Sequence, residues 1–215
     1  MTDEREEILN VYDAAGEVVG ARPRREAKAS GLAVGAVNLL LTDARGRVLL
    51  QRRPDDKENG GRWDKSVGGH VAAGETFEET MVREACEELF DSRGTPCVRL
   101  ASSEGEYRAL LGEGLARHGI VFRRVGLRLN LRDVRHTHGG GLRNVVYHVA
   151  IFRGRTDLAE GAFTPQPSEI ADLRYFDAPA IDRLLVEGCL APNMAFLWLT
   201  EAHALLTEPP SPSTD

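Results

Sequence analysis

Apolar and polar residues alternate loosely over residues 6–20, on both sides of a turn at Asp13–Gly16. That pattern predicts two short strands in a hairpin. Residues 21–32, rich in Arg, Lys and Ala, predict either a basic loop or a short helix. The run 31–43 is apolar almost throughout, as suits a central strand buried on both faces. A turn at 43–46 leads into a second strand over 47–54, which Pro54 ends because proline cannot donate to a ladder. Residues 55–62 are a polar, glycine-containing loop, and Trp63–Val71 predicts one short strand.

The period then changes. Phe77, Met81, Ala85 and Leu89, joined by Val82 and Cys86, recur at helical spacing and form a wide apolar stripe. Thr76 and Glu79 have the T-x-x-E spacing of a capping box at its start. Downstream, 96–103 predicts a strand. Tyr107–His118 predicts a short helix broken by Gly112 and Gly114. Residues 121–134 and 144–154 predict strands, the first with arginines on its wet face and the second with Val145, Tyr147, Val149 and Ile151 on one face. They flank a glycine-rich turn at 136–143 that carries His136 and His138. A loop and strand follow over 164–177, then helices over Ala178–Glu187 and Asn193–Leu206. The Pro- and Ser-rich tail 208–215 reads as disordered, which leaves 1–207 as one domain.

Composition narrows the function classes. The 215 residues are 42% hydrophobic and 28% charged, ordinary for a globular protein. A formal charge of −6 argues against a nucleic-acid-binding surface. No apolar run approaches the ~20 residues of a membrane span, and the acidic N-terminus lacks a signal-peptide pattern. Cys86, Cys97 and Cys189 are an odd, scattered set without CxxC, which predicts reduced, buried thiols and a cytoplasmic protein.

The chemistry concentrates between Gly69 and Asp91. Glu84, Glu87 and Glu88 stand at i, i+3 and i+4, so on a helix they share one face, where each like-charged pair costs roughly 0.2–0.5 kcal/mol. Packing gains nothing from that repulsion. A hard divalent cation turns it into binding, because Mg²⁺ takes oxygen ligands. The alternative is a solvated acidic face.

These residues resemble the signature of the Nudix hydrolases, which reads Gly, five residues, Glu, seven residues, Arg-Glu-apolar-x-Glu-Glu-x-Gly-apolar. Gly69, Glu75, Arg83, Glu84, Glu87 and Glu88 fall in register. Phe90 and Asp91 depart from it, replacing the glycine and apolar residue that close the pattern. Without that glycine the helix is expected to run on through Asp91 to a stop at Gly94.

The resemblance implies an α/β fold: an α/β/α sandwich around a mixed sheet, with an N-terminal hairpin and C-terminal helices. It also implies hydrolysis of a diphosphate linkage in a small nucleoside diphosphate-type or related substrate. The cofactor implied is Mg²⁺, with Mn²⁺ as an alternative, held by the Gly69 carbonyl and by Glu84, Glu87 and Glu88. Glu75 and Arg83 stand behind the ligands, Arg83 pairing with Glu75 or Glu87. The general base is Glu84 or Glu88, or a loop acid among Glu104, Glu106, Glu113 and Glu169, of which Glu169 is preferred. Arg52, Arg53 and His70 are candidate substrate contacts; for each, a purely structural place is the other reading. Dimers are common in the family, so a homodimer is one expected state.

More narrowly, the opening hairpin, the segment 49–54 and the segment 63–75 resemble the branch close to isopentenyl diphosphate isomerase. That enzyme uses a cysteine where this chain has Gly68. It also has histidines ahead of its central strand, and residues 21–35 contain none. Its glutamate on a late strand aligns with Tyr147. Only His70 matches its metal site. Isomerase chemistry is therefore the alternative, as is a diphosphate-binding module without turnover.

Overall fold

A computed structural model describes residues 6–90, 98–136 and 142–202. The N-terminal hairpin forms as predicted, from β1 (Ile8–Tyr12) and β2 (Val18–Pro23). The basic stretch after it is a short helix, α1 (Arg24–Ala29), so the helical alternative holds. The central strand is β3 (Ala33–Thr42). It runs parallel to β9 (Leu142–Thr156) in register from Ala33↔Val146 to Thr42↔Arg155. Its other edge changes partner along its length. It pairs with β1 at Val34, with β6 (Val67–His70) from Ala36 to Leu39, and with β4 (Val48–Arg52) at Leu41 and Thr42. The main path of the sheet is β10–β4–β3–β9–β8–β7, where β7 is Val98–Leu100, β8 Ile120–His136 and β10 Asp172–Phe176.

Helices cover both faces, which makes the predicted mixed α/β/α sandwich. On one face α2 (Phe77–Phe90) buries Met81, Ala85, Leu89 and Phe90 against Val37, Leu39, Leu49, Phe122 and Phe152. On the other, α5 (Ala178–Val186) and α6 (Pro192–Leu197) bring Ile181, Met194 and Leu197 onto Leu40, Leu50, Val149 and Ile151. A leucine or isoleucine fully buried in this way contributes about 1.5–3 kcal/mol. A π-type turn over Trp198–Ala202 follows α6, so the last predicted helix loses regular geometry near its middle. The broken helix at 107–118 becomes α3 (Glu104–Gly112) and α4 (Leu115–His118). No described helix is long and apolar enough to cross a membrane.

Two predictions need correction. Residues 63–71 are not one strand. β5 (Trp63–Asp64) pairs with β4, whereas β6 pairs with β3. The jog between them is fixed by the Ser66 hydroxyl, which donates to the Leu49 carbonyl and accepts from the Leu41 N–H. The cysteines are less buried than expected: Cys86 and Cys189 are free thiols, each only half-buried. Cys97, Asp91, Gly94, His138 and the 208–215 tail lie outside the described residues. Phe90 is the last residue of α2 among them. It does not adopt a left-handed backbone, and it packs on Phe163 with ring centroids 5.8 Å apart.

Candidate active site

The turn from β6 into α2 gathers the predicted carboxylates. The capping box forms: the Thr76 N–H donates to Glu79 Oε2 at 2.9 Å, and the Glu79 N–H donates to Thr76 Oγ1 at 3.2 Å. This starts α2 in the rotation that buries Met81, Ala85 and Leu89 and turns Glu84, Glu87 and Glu88 toward β6 and its rim. Gly69 lies against Glu84 so closely that a Cβ there would collide with the carboxylate. Glycine is therefore required at 69 by contact, since its backbone is not in the left-handed region.

Arg83 organises the acids. Its Nε and Nη2 grip both oxygens of Glu75, at 2.9 and 3.0 Å. Its Nη1 donates to Glu84 and to Glu87, each at 3.0 Å. The sequence predicted pairing with Glu75 or Glu87; Arg83 takes both and adds Glu84. The Thr80 hydroxyl donates to Glu75 Oε2 at 2.7 Å. Arg83 beside Glu75, with help from Thr80, holds the Glu75 carboxyl below its ordinary value. Glu88 stands apart from Arg83. Its Oε2 accepts from the Gly68 N–H at 3.1 Å and from the Gln51 amide at 3.3 Å. Burial, reinforced by the Glu84 charge, pushes its carboxyl up to about 8. Burial also raises Glu84, with Glu87 adding to the effect and Arg83 opposing it.

Among the described residues, no three His, Cys, Asp or Glu side chains are gathered closely enough to hold an ion as they stand. Arg83 occupies Glu84 and Glu87 instead, and its fork supplies the positive charge that three neighbouring carboxylates need. The donor set nonetheless fits a hard divalent cation. Every candidate ligand is an oxygen, and Glu88 is a carboxyl held in a site that disfavours its charge until a cation arrives.

The other candidates are placed elsewhere. Arg52 and Arg53 brace the loop after β4: Arg52 Nε donates to the Gly61 carbonyl at 3.1 Å, and Arg53 Nε to the Glu58 carbonyl at 2.6 Å. Arg53 also pairs with buried Asp64 at 3.4 Å. Glu169 is exposed and pairs with Lys57 at 3.1 Å. Glu104, Glu106 and Glu113 bond to Arg108, Ser102 and His118 respectively, around α3 and α4.

His70 follows Gly69 in β6 and therefore faces the other side of the sheet, opposite Ala36. Its ring lies 6.1 Å from that of Tyr147, over which Lys28 Nζ sits at 5.4 Å. Burial, then the charges of Lys28, Arg24 and Lys65, lower its pKa well below the ordinary imidazole value. Such surroundings disfavour a cation at His70. Trp63 packs edge-on against Phe176 with centroids 4.7 Å apart, as a packing residue does.

Sequence reasoning missed Gln51, Thr80, Asn10 and Lys65. Asn10 does leave a signal, being a polar residue inside an otherwise apolar strand, whereas Gln51 stands beside Arg52 where β4 turns polar; both are buried. Lys65 is buried beside Asp64, with Nζ 3.4 Å from the carboxylate. Its stem lies across Gly68, and a Cβ at 68 would run into Lys65 Cε. The place where the isomerase carries its thiol is thus filled by a lysine stem.

Comparison with known proteins places the chain in a family. A model of the NUDIX domain matches residues 32–193. An uncharacterised Nudix hydrolase of Streptomyces coelicolor is 40% identical over 85 residues, which is 39% of this chain and 47% of that protein. An isopentenyl-diphosphate Delta-isomerase of Leifsonia xyli is 32% identical over 120 residues, 55% of this chain and 64% of that one. The chain spans about half the length of the first curated relatives it matches. A solved structure from Deinococcus radiodurans superposes with a TM-score of 0.61 at 22% identity, covering 89% of this chain and 96% of that one, and shares the fold. With its signature in register, its sandwich architecture and a family model spanning most of its length, the chain belongs to the Nudix family.

Proposed function

We propose that the chain is a divalent-metal-dependent hydrolase that cleaves a diphosphate linkage in a small nucleoside diphosphate-type or related substrate. The observation that carries this reading is the division of labour among the acids. Arg83 orients Glu75, Glu84 and Glu87, while half-buried Glu88 accepts from the Gly68 N–H with its carboxyl raised to about 8. Mg²⁺, or Mn²⁺ in its place, held by Glu84, Glu87, Glu88 and the Gly69 carbonyl, would neutralise the diphosphate and acidify the attacking water.

The residues supply the rest. Arg83 keeps two of the ligand carboxylates in fixed rotamers. Glu88 or Glu84 takes the proton as the water oxygen bonds to phosphorus. The bridging P–O bond breaks, and its electron pair leaves with the departing phosphate oxygen. Arg52, Arg53 and His70 remain proposed substrate contacts; the arginines reach substrate only together with the 54–62 loop they brace. Glu169 is weaker as a base than the cradle acids, being exposed and paired with Lys57.

Release of phosphate or a mononucleotide is measured over nucleoside diphosphate sugars, nucleoside triphosphates and dinucleoside polyphosphates, with Mg²⁺ and with Mn²⁺. Glu88→Gln is expected to lower turnover by roughly 10²–10⁴, the range for losing a positioned proton acceptor, Glu87→Gln to lower it by removing a metal ligand, and Glu169→Gln to lower it by less than about tenfold. Full activity in the first two variants sinks the metal assignment. Isopentenyl diphosphate belongs in the same panel. Double-bond migration without hydrolysis would favour the isomerase reading, which the Leifsonia relative motivates and the Lys65–Gly68 contact opposes.

A further inference from the structure

Asn10 is a buried amide on β1, 4% exposed and flanked by core residues Leu9 and Val11. Both ends of its side chain bond to the turn that carries Glu75. Nδ2 donates to the Glu75 carbonyl at 2.9 Å, and Oδ1 accepts from the Gly74 N–H at 3.0 Å. The β1 backbone reinforces the hold: the Asn10 N–H donates to the Val71 carbonyl at 3.2 Å, and the Ala73 N–H to the Ile8 carbonyl at 2.9 Å. The turn is thus clamped from the N-terminal hairpin, 65 residues away along the chain.

We infer that Asn10 is a positioning residue of the carboxylate cradle. This rests on the metal-site reading above. The route is short. Asn10 holds the backbone of Glu75, Glu75 takes Arg83 by both oxygens, and Arg83 orients Glu84 and Glu87. Asparagine offers a donor and an acceptor at the two ends of one planar group, which the Gly74 N–H and Glu75 carbonyl require together. Aspartate keeps the acceptor and loses the donor. Leucine loses both. Asn10 precedes the residues 32–193 that the family model matches, so the clamp comes from the N-terminal hairpin outside them.

The test measures Mn²⁺ binding by electron paramagnetic resonance on wild type, Asn10→Asp, Asn10→Leu and Glu87→Gln, with metal-free circular dichroism melts on each. Asn10→Asp keeps the shape and the Gly74 bond, and it decides the matter if Asn10→Leu does not fold. Folded Asn10 variants are expected to bind Mn²⁺ about tenfold more weakly, the usual cost of losing a group that orients a ligand. Their kcat should recover at saturating metal while the substrate KM there stays unchanged, a split that general loosening of the fold would not give. Wild-type Mn²⁺ affinity in folded Asn10→Asp, beside lost affinity in Glu87→Gln, overturns this inference alone. Unchanged affinity in Glu87→Gln removes the metal site itself, and the inference with it.

Discussion

Gly69 is defined by what touches it. A methyl group at that position meets the Glu84 carboxylate, so Gly69→Ala must push Glu84 off its present rotamer. A displacement of about 1 Å in a reacting group costs on the order of 10²-fold in rate. Gly69→Ala is therefore expected to lose about that much in kcat/KM while its circular dichroism melt stays near wild type; unchanged kinetics would mean Glu84 has no part in the reaction. This residue, Glu75, Arg83 and the three glutamates were all legible, because they sit at fixed offsets in one short stretch. Asn10, Gln51 and Lys65 were not assigned to the site. Asn10, a polar residue in an apolar strand, announces that it needs a partner, but its partners and that of Gln51 lie on α2 or on turns that only the folded chain brings near. Arg52 and Arg53 show the converse. Phosphate contact and a merely structural place were both open for them, and loop carbonyls and Asp64 hold them as the chain stands.

At the scale of elements, α2 uses position 90 for packing. The family pattern has glycine at 90, where a left-handed residue would close the helix. Here Phe90 is 1% exposed and packs on Phe163. Phe90→Gly is expected to destabilise the protein by about 3–5 kcal/mol, the usual cost of emptying a buried aromatic site, as read by urea unfolding. A gain in stability would show instead that position 90 wants a helix stop. The strands were legible where the pattern was strong, as a nearly unbroken apolar run in β3 and as alternation in β9. The split between β5 and β6 was not, because hydrophobic period carries no record of which neighbour a strand pairs with. Ser66, whose hydroxyl fixes the jog, looks like any small polar residue in the sequence.

For the molecule as a whole, Glu88 links stability to pH. Its carboxyl lies near 4.5 in the unfolded chain and about 8 in the folded one. Between those values the folded protein keeps a proton that the unfolded chain has released. Metal-free stability therefore falls as pH rises through that window, and Glu84, also raised, adds in the same direction. Glu75, held below its ordinary value by Arg83, acts oppositely but only on the acid side, where stability is lost as pH falls. His70, held well below its ordinary value by burial, opposes this on the acid side of 6.5, so denaturant unfolding of the metal-free protein at pH 7 and pH 8 should show the greater stability at pH 7, and Glu88→Gln should flatten the difference. Equal stabilities in wild type would mean that Glu88 is ionised throughout. The α/β/α architecture itself was implied by the family resemblance, with which the order of periods along the chain agrees.

The shifting partners of β3 bear on how the chain folds in time. One strand is finished only when residues from the N-terminal hairpin, from β4, from β6 and from β9 have all arrived. The Thr42 hydroxyl, for instance, bonds the Gly154 carbonyl 112 residues further on. The β1–β2 and β8–β9 pairings join strands adjacent in sequence, but β3 cannot be completed that way, since each long loop must lose its entropy before its strand gains hydrogen bonds. Topologies dominated by such distant pairings fold in milliseconds to seconds rather than microseconds. The hold of Asn10 on the turn that carries Glu75 needs β1 and β6 both docked on β3.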